Sequence, residues 1–165
     1  MTNNTEQLTP RSFIKTLTIL HLALIVGPVV FAVFAYFQIQ NTTIDFTDTD
    51  NSFFLIIPIF AIGAIFMGNL VYKKLTAEIS KISGLKQKLM RLQTASLIKF
   101  ASVEAPALFS VVVFYITENM AFLLIAVVLI FYFFTLRPTK VKIENLLALR
   151  GEEKSQFNKM DHPIS

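Results

Sequence analysis

The sequence predicts an all-α membrane protein with four transmembrane helices, both termini cytoplasmic, and an amphipathic cytoplasmic helical segment between spans 2 and 3. Three observations carry this. Hydrophobic residues make up 54% of the 165-residue chain and charged residues only 16%, with a mean hydropathy of +0.60, where soluble domains carry about 25% charge. Four apolar runs approach the ~20 residues needed to cross about 30 Å of hydrocarbon. The Lys and Arg residues outside those runs all fall on one side of a four-span path. A domain of this length leaves roughly a third of its unfolded-chain surface in solvent, so the 17 Phe and 4 Tyr cannot all be hidden from water. Disorder is excluded, and a free-standing soluble globule is not expected.

The first run, 16–37, carries no charge. A signal peptide is the competing reading, because Val33-Phe34-Ala35 could pass as a weak cleavage site. The run far exceeds the usual ~7–15 residues of a signal core, which favours an uncleaved helix. The second run, 52–72, is also free of charge, whereas the third, 95–117, contains Lys99 and Glu104. Its clean stretch, 105–116, is too short to span alone. It either borrows its cytoplasmic turns or forms a re-entrant hairpin with the fourth run, 119–136. Tyr36, Tyr72, Tyr115 and Tyr132 each lie near a run end, where a ring with one wet tip is favoured.

Orientation follows from the basic residues. Arg11 and Lys15 precede the first span, and loop 38–51 has no base but carries Asp45, Asp48 and Asp50. The second loop holds Lys73, Lys74, Lys81, Lys86, Lys88 and Arg91. The third is a tight turn at Glu118-Asn119, and Arg137, Lys140, Lys142, Arg150, Lys154 and Lys159 follow the last span. Both ends are therefore expected in the cytoplasm, in a bacterial inner membrane. The net charge of +4 reports topology rather than nucleic-acid binding. The six bases of the second loop are expected to face anionic lipid headgroups or a partner.

In that loop Leu75, Ile79, Ile82, Leu85, Leu89 and Leu92 recur at helical steps, an amphipathic pattern. Ser83-Gly84 interrupts it. Two geometries fit: a helical hairpin turning at Gly84, or one helix lying on the membrane surface. Arg137-Pro138 ends the fourth span, because Pro cannot continue the hydrogen-bond ladder and restricts its predecessor. Thr139 is a plausible N-cap for a short helix over 140–150 that stops at Gly151. Residues 1–150 are read as a single four-span domain and 151–165 as a flexible polar tail.

Polar residues within the spans are the functional candidates, since a charge at a helix centre costs roughly 2.5–3.5 kcal/mol on insertion scales. At 1.5 Å per residue, Glu104 lies about 13 Å from the cytoplasmic boundary, Lys99 about 6 Å, His21 about 7 Å and Asn69 about 4 Å. All four fall in the cytoplasmic leaflet and could converge on one polar cluster. The plainer reading satisfies each privately: Lys99 snorkels to headgroups, His21 bonds a neighbouring helix and Asn69 faces the interface. Positioning alone does not account for the depth of Glu104. Pro28, Pro58 and Pro106 are candidate kinks, and Pro106 frees the carbonyl of Ser102 beside Glu104. Small residues at four-residue spacing (Ala23 and Gly27, Ala64 and Gly68, Ala101 and Ala105) mark expected packing faces. The fourth span has no such pair and is expected to be the most lipid-exposed.

Zero Cys removes disulfides, thiolate metal sites and thiol nucleophiles. There is no Gly-rich phosphate loop, no metal-spaced pair of histidines and no nucleophile elbow. No metal, cofactor or enzymatic activity is expected. Two functions remain: a non-enzymatic accessory, scaffold or regulatory subunit, forming a homo-oligomer or docking a membrane partner, or a small proton- or solute-handling protein using Glu104 with His21 as relay.

An intramembrane carboxylate in a small helical protein loosely resembles the proteolipid subunits of rotary ATPases. Those subunits have glycine-repeat inner helices, whereas only Gly27, Gly63 and Gly68 lie within the spans here, so that family is set aside. The stretch Glu104-Ala-Pro-Ala-Leu-Phe, followed by the fourth span and Arg137-Pro-Thr-Lys, is similar to small uncharacterised four-span proteins of bacterial inner membranes. The resemblance covers the C-terminal half and implies no known activity.

Overall fold

The computed structural model describes residues 8–46 and 52–164; Asp48 and Asp50 of the first loop lie outside them. The described chain forms α1 (Pro10–Gln38), α2 (Phe53–Ala77), α3 (Leu85–Thr117), α4 (Met120–Thr135), α5 (Lys140–Leu147) and α6 (Gly151–Asn158), with a 3-10 turn at Ile79–Lys81. Among the described residues, the one isolated strand-like bridge joins Thr43 to Asn119.

Local chemistry explains the element boundaries. The Thr9 side chain accepts from the Ser12 amide while the Ser12 hydroxyl accepts from the Thr9 amide, closing two orphan donors reciprocally. Pro10 fills the first helical position, where its missing N–H is not needed. Gly84 has φ +90°, a conformation that glycine adopts without a Cβ penalty, and there the chain reverses from α2 and the 3-10 turn into α3. The hairpin is therefore the geometry adopted. Pro28, Pro58 and Pro106 each lie inside a helix that continues through them.

α1, α2 and α3 are long and apolar enough to cross a membrane. α3 is one continuous helix of 33 residues, about 50 Å long. The third run thus extends through the amphipathic segment and is not re-entrant. α4 has 16 residues, or about 24 Å, short of a full span. It qualifies as a fourth candidate only together with α5, which is bent 68° from it. Asn119 caps its start and the chain leaves the helix before Pro138, so neither end can lengthen.

α1, α2 and α4 all pack on α3, while α1 and α2 have no substantial contact with each other. The outward faces are apolar stripes at helical spacing. On α2, Leu55, Ile59, Ile62 and Phe66 are each at least 60% exposed. Ile19, Leu22, Val26, Val30, Val33 and Phe37 make a similar stripe on α1. Such contiguous apolar surface is unstable in water and suited to lipid.

Two expectations about packing are corrected. α2, not α4, is the most outward-facing helix: it buries only Ile57, Ala61 and Gly68, whereas α4 buries Ala121, Phe122, Ala126, Leu129, Ile130 and Phe133. Nearly every position of α4 is apolar, so its inner face leaves no mark in hydropathy. Among the small-residue pairs, Ala64 and Gly68 lie on an inner face, but Ala23, Gly27, Ala101 and Ala105 are exposed. A Cβ at Gly68 would overlap the Ser102 hydroxyl, so here α2 and α3 approach as closely as two helices can.

The tail also differs from expectation. α5 ends at Leu147, with Ala148 left-handed at φ 46°, and the chain re-enters a helix, α6, at Gly151. Phe157 is fully buried, and Ile164 donates its amide to the Leu8 carbonyl. Phe157 anchors a segment that is otherwise polar, and Glu152 and Glu153 in the first turn suit the helix dipole.

The bundle has two unlike ends. At one, the Asn119 side chain accepts from Ala121 and Asp45 amides and donates to the Asp45 carbonyl, tying the first loop to the α3–α4 turn. At the other are gathered the start of α1, the α2–α3 hairpin, α5 and α6, and with them all 15 Lys and Arg residues. Gly68→Val should force α2 away from α3 and lower stability by about 1–3 kcal/mol. Gly63→Ala, where an added methyl meets open space, should not lower it; thermal melts followed by circular dichroism in detergent will compare the two.

Candidate functional site

The four intramembrane candidates do not form one cluster. His21, on the buried face of α1, is wholly enclosed. Its Nε2 lies 3.0 Å from the Phe133 carbonyl of α4, an acceptor, so Nε2 carries the proton and donates. Phe100 and Phe133 meet the imidazole edge-on at centroid distances of 4.8 and 5.1 Å. Nδ1 has no partner in this aromatic cage. A relay needs a second partner, and His21 has none. The residue instead fastens α1 to the last turn of α4.

Glu104 is half-buried on α3 and faces α1 across Gly27, where a Cβ would lie 3.7 Å from its Oε1. It makes no hydrogen bond or ion pair among the described residues. Asn69 is half-buried on α2, one residue beyond the Gly68 contact. Glu104, His21 and Asn69 are not among the residues that line the cleft at the basic end.

Lys99 lines a cavity. A cleft of about 540 Å³ lies at the basic end, bounded by Leu17 of α1, Tyr72 of α2, Leu92, Ser96, Lys99 and Phe100 of α3, and the elbow from Thr135 to Leu146. Lys99 Nζ sits 4.6 Å from the Tyr72 ring centroid, a cation–π arrangement. Across the cleft, Lys142 Nζ donates to the carbonyls of Thr135 and Arg137 at 3.1 and 3.2 Å, where cations suit the end of a helix. Lys142, Asn145 and Ser96 were not expected at a site. The Arg137-Pro138 elbow carries the one sequence signal for them, because a chain that turns there must fold α5 back beneath the bundle.

The six bases of the hairpin separate into two groups. Lys73, Lys74, Lys81 and Lys86 are exposed. Lys88, expected to face headgroups or a partner, is instead buried and pairs with Glu153 of α6 at 2.6 Å. It shares a helix face with Leu85, Leu89 and Leu92, which α6 covers. Arg91 pairs with Glu78 at 3.1 Å across the hairpin, so its charge is partly engaged within the fold.

Among the described residues no group of acids and histidines could hold a metal ion. No family model matches the chain, and comparison with curated proteins and with solved structures finds no match.

His21→Ala should remove both the ring and the clasp to Phe133, destabilising the bundle by about 2–4 kcal/mol. His21→Phe, which keeps the aromatic volume, should recover part of that loss; chemical unfolding in detergent measures both.

Proposed function

We propose that this chain is a non-enzymatic integral membrane protein, an accessory, scaffold or regulatory subunit of a bacterial cytoplasmic membrane, crossing it four times with both termini inside. The observation that carries the reading is the assembly of all cations at one folded end. There Lys73, Lys74, Lys81 and Lys86 stand exposed and make no ion pair among the described residues. A bilayer with anionic lipids on its cytoplasmic leaflet attracts such a surface by about 1 kcal/mol per basic residue. The enclosure of His21 favours this reading over transport, since it breaks the simplest proton path.

Reversing Lys81 and Lys86 to Glu should abolish co-purification of partners from native membranes, while Glu104→Gln should leave it intact. Equal recovery with both variants overturns the docking role.

One observation keeps proton handling as a second reading: the Glu104 carboxyl has no partner among the described residues, and burying an unpaired acid is costly. In that case Glu104→Gln must reduce pH-driven flux into liposomes containing the purified protein. Unchanged flux ends the reading.

A further inference from the structure

We propose that the cleft at the basic end is a discrete binding site for one anionic amphiphile, a membrane lipid whose phosphate is held by Lys99 and Lys142 while its first methylenes lie on the apolar wall. The volume, about 540 Å³, is in the range of ligand pockets, roughly 300–1,000 Å³. Leu17, Phe100, Ile143 and Leu146 supply hydrocarbon, and the amines of Lys99 and Lys142 supply charge. No carboxylate lines the cleft.

That absence separates these lysines from Lys88, the buried lysine of the same helix as Lys99, whose charge Glu153 meets. Arg11, Lys88, Arg91 and Lys154 each pair with an acid of the chain. Lys99 has only the Tyr72 ring, and Lys142 only the two carbonyls at the end of α4. Lys73 and Lys142 are the like charges that bear on Lys99. An ammonium has three protons, and Lys142 spends two on those carbonyls, leaving one for a ligand. Positive charges brought together without a counter-ion, beside an apolar cavity, match a ligand with an anionic head and a greasy stem. A soluble anion would satisfy the amines and leave the apolar wall wet.

The position fits the same ligand. The cleft opens where α4 ends and α5 turns away by 68°, the level at which headgroups meet hydrocarbon if the basic end faces the cytoplasm. The inference rests on that membrane placement. It differs from attraction by Lys81 and Lys86, which lie on the hairpin outside the cleft and act on a surface rather than on one molecule.

Native mass spectrometry of the full chain in a nonionic detergent tests the site, with phosphatidylglycerol, phosphatidylcholine and inorganic phosphate as separate probes. Phosphatidylglycerol should add as a single tight adduct, well ahead of phosphatidylcholine. Lys99→Gln with Lys142→Gln should weaken that adduct at least about tenfold, as expected for losing charge-assisted hydrogen bonds. Lys81→Gln with Lys86→Gln should leave it unchanged. Leu146→Trp, which fills the apolar wall and keeps both amines, should also weaken it, and melts must show each variant folded before its adducts are compared. Equal binding of the two lipids, or a folded Lys99/Lys142 variant with undiminished binding, overturns the site. Inorganic phosphate displacing the lipid at equal concentration overturns the amphiphile and leaves an anion site. Loss of the adduct in the Lys81/Lys86 variant alone assigns binding to the outer surface and overturns the cleft, without touching the membrane placement.

Discussion

Every long helix of this bundle leans on α3. α1, α2 and α4 each pack along it, and α6 closes over its first turns. A helix surrounded in this way must be small where a neighbour comes closest and apolar nearly all round. α3 meets both demands between Phe100 and Phe114, where Val103, Ala107, Val111 and Val113 are essentially inaccessible. In lipid the hydrophobic effect does not drive helix against helix, so association depends on close packing and a few polar contacts. Gly68 against Ser102 supplies the closest packing, and His21 on the Phe133 carbonyl supplies a polar contact between helices. With α3 in place, the positions of the other helices follow.

Which segments form long apolar helices was legible in the sequence, and direction around each helix was not. Runs of apolar residues located α1, α2 and α3, and Gly84 and Thr139 marked a turn and a cap that the fold uses. Counting residues set Glu104, His21, Lys99 and Asn69 at similar levels. It could not say that His21 faces inward to two phenyl rings while Glu104 looks across a glycine. That depends on which neighbour packs where. α4 is the extreme case, because a helix that is apolar at almost every position gives no clue to its buried face. Lys88 failed for the opposite reason: a lysine reads as surface until an acid from a distant helix is brought beneath it.

The two ends of the bundle solve the same problem by different chemistry. At the acidic end the Asn119 side chain caps α4 and, together with the backbone bridge at Thr43, holds the first loop with neutral hydrogen bonds. At the basic end charge is abundant, and ion pairs join the hairpin to itself and to α6. The Lys88–Glu153 pair is the costly one to disturb. Lys88 is buried and Glu153 partly so, so removing the acid leaves a largely enclosed charge without its counter-ion, which destabilises even where the intact pair adds little net stability. The pair therefore serves to fix where α6 docks.

The missing contact between α1 and α2 bears on biosynthesis. A chain made from its N-terminus completes these two helices before the one that joins them exists. With no substantial surface in common, they have nothing to hold them together at that stage. The interval is set by translation at about 5–20 residues per second, and during it Gly68 lacks its Ser102 neighbour. Assembly is thus gated by the arrival of α3, and the contacts of Glu153 with Lys88 and of Ile164 with Leu8 must wait for the C-terminal segment.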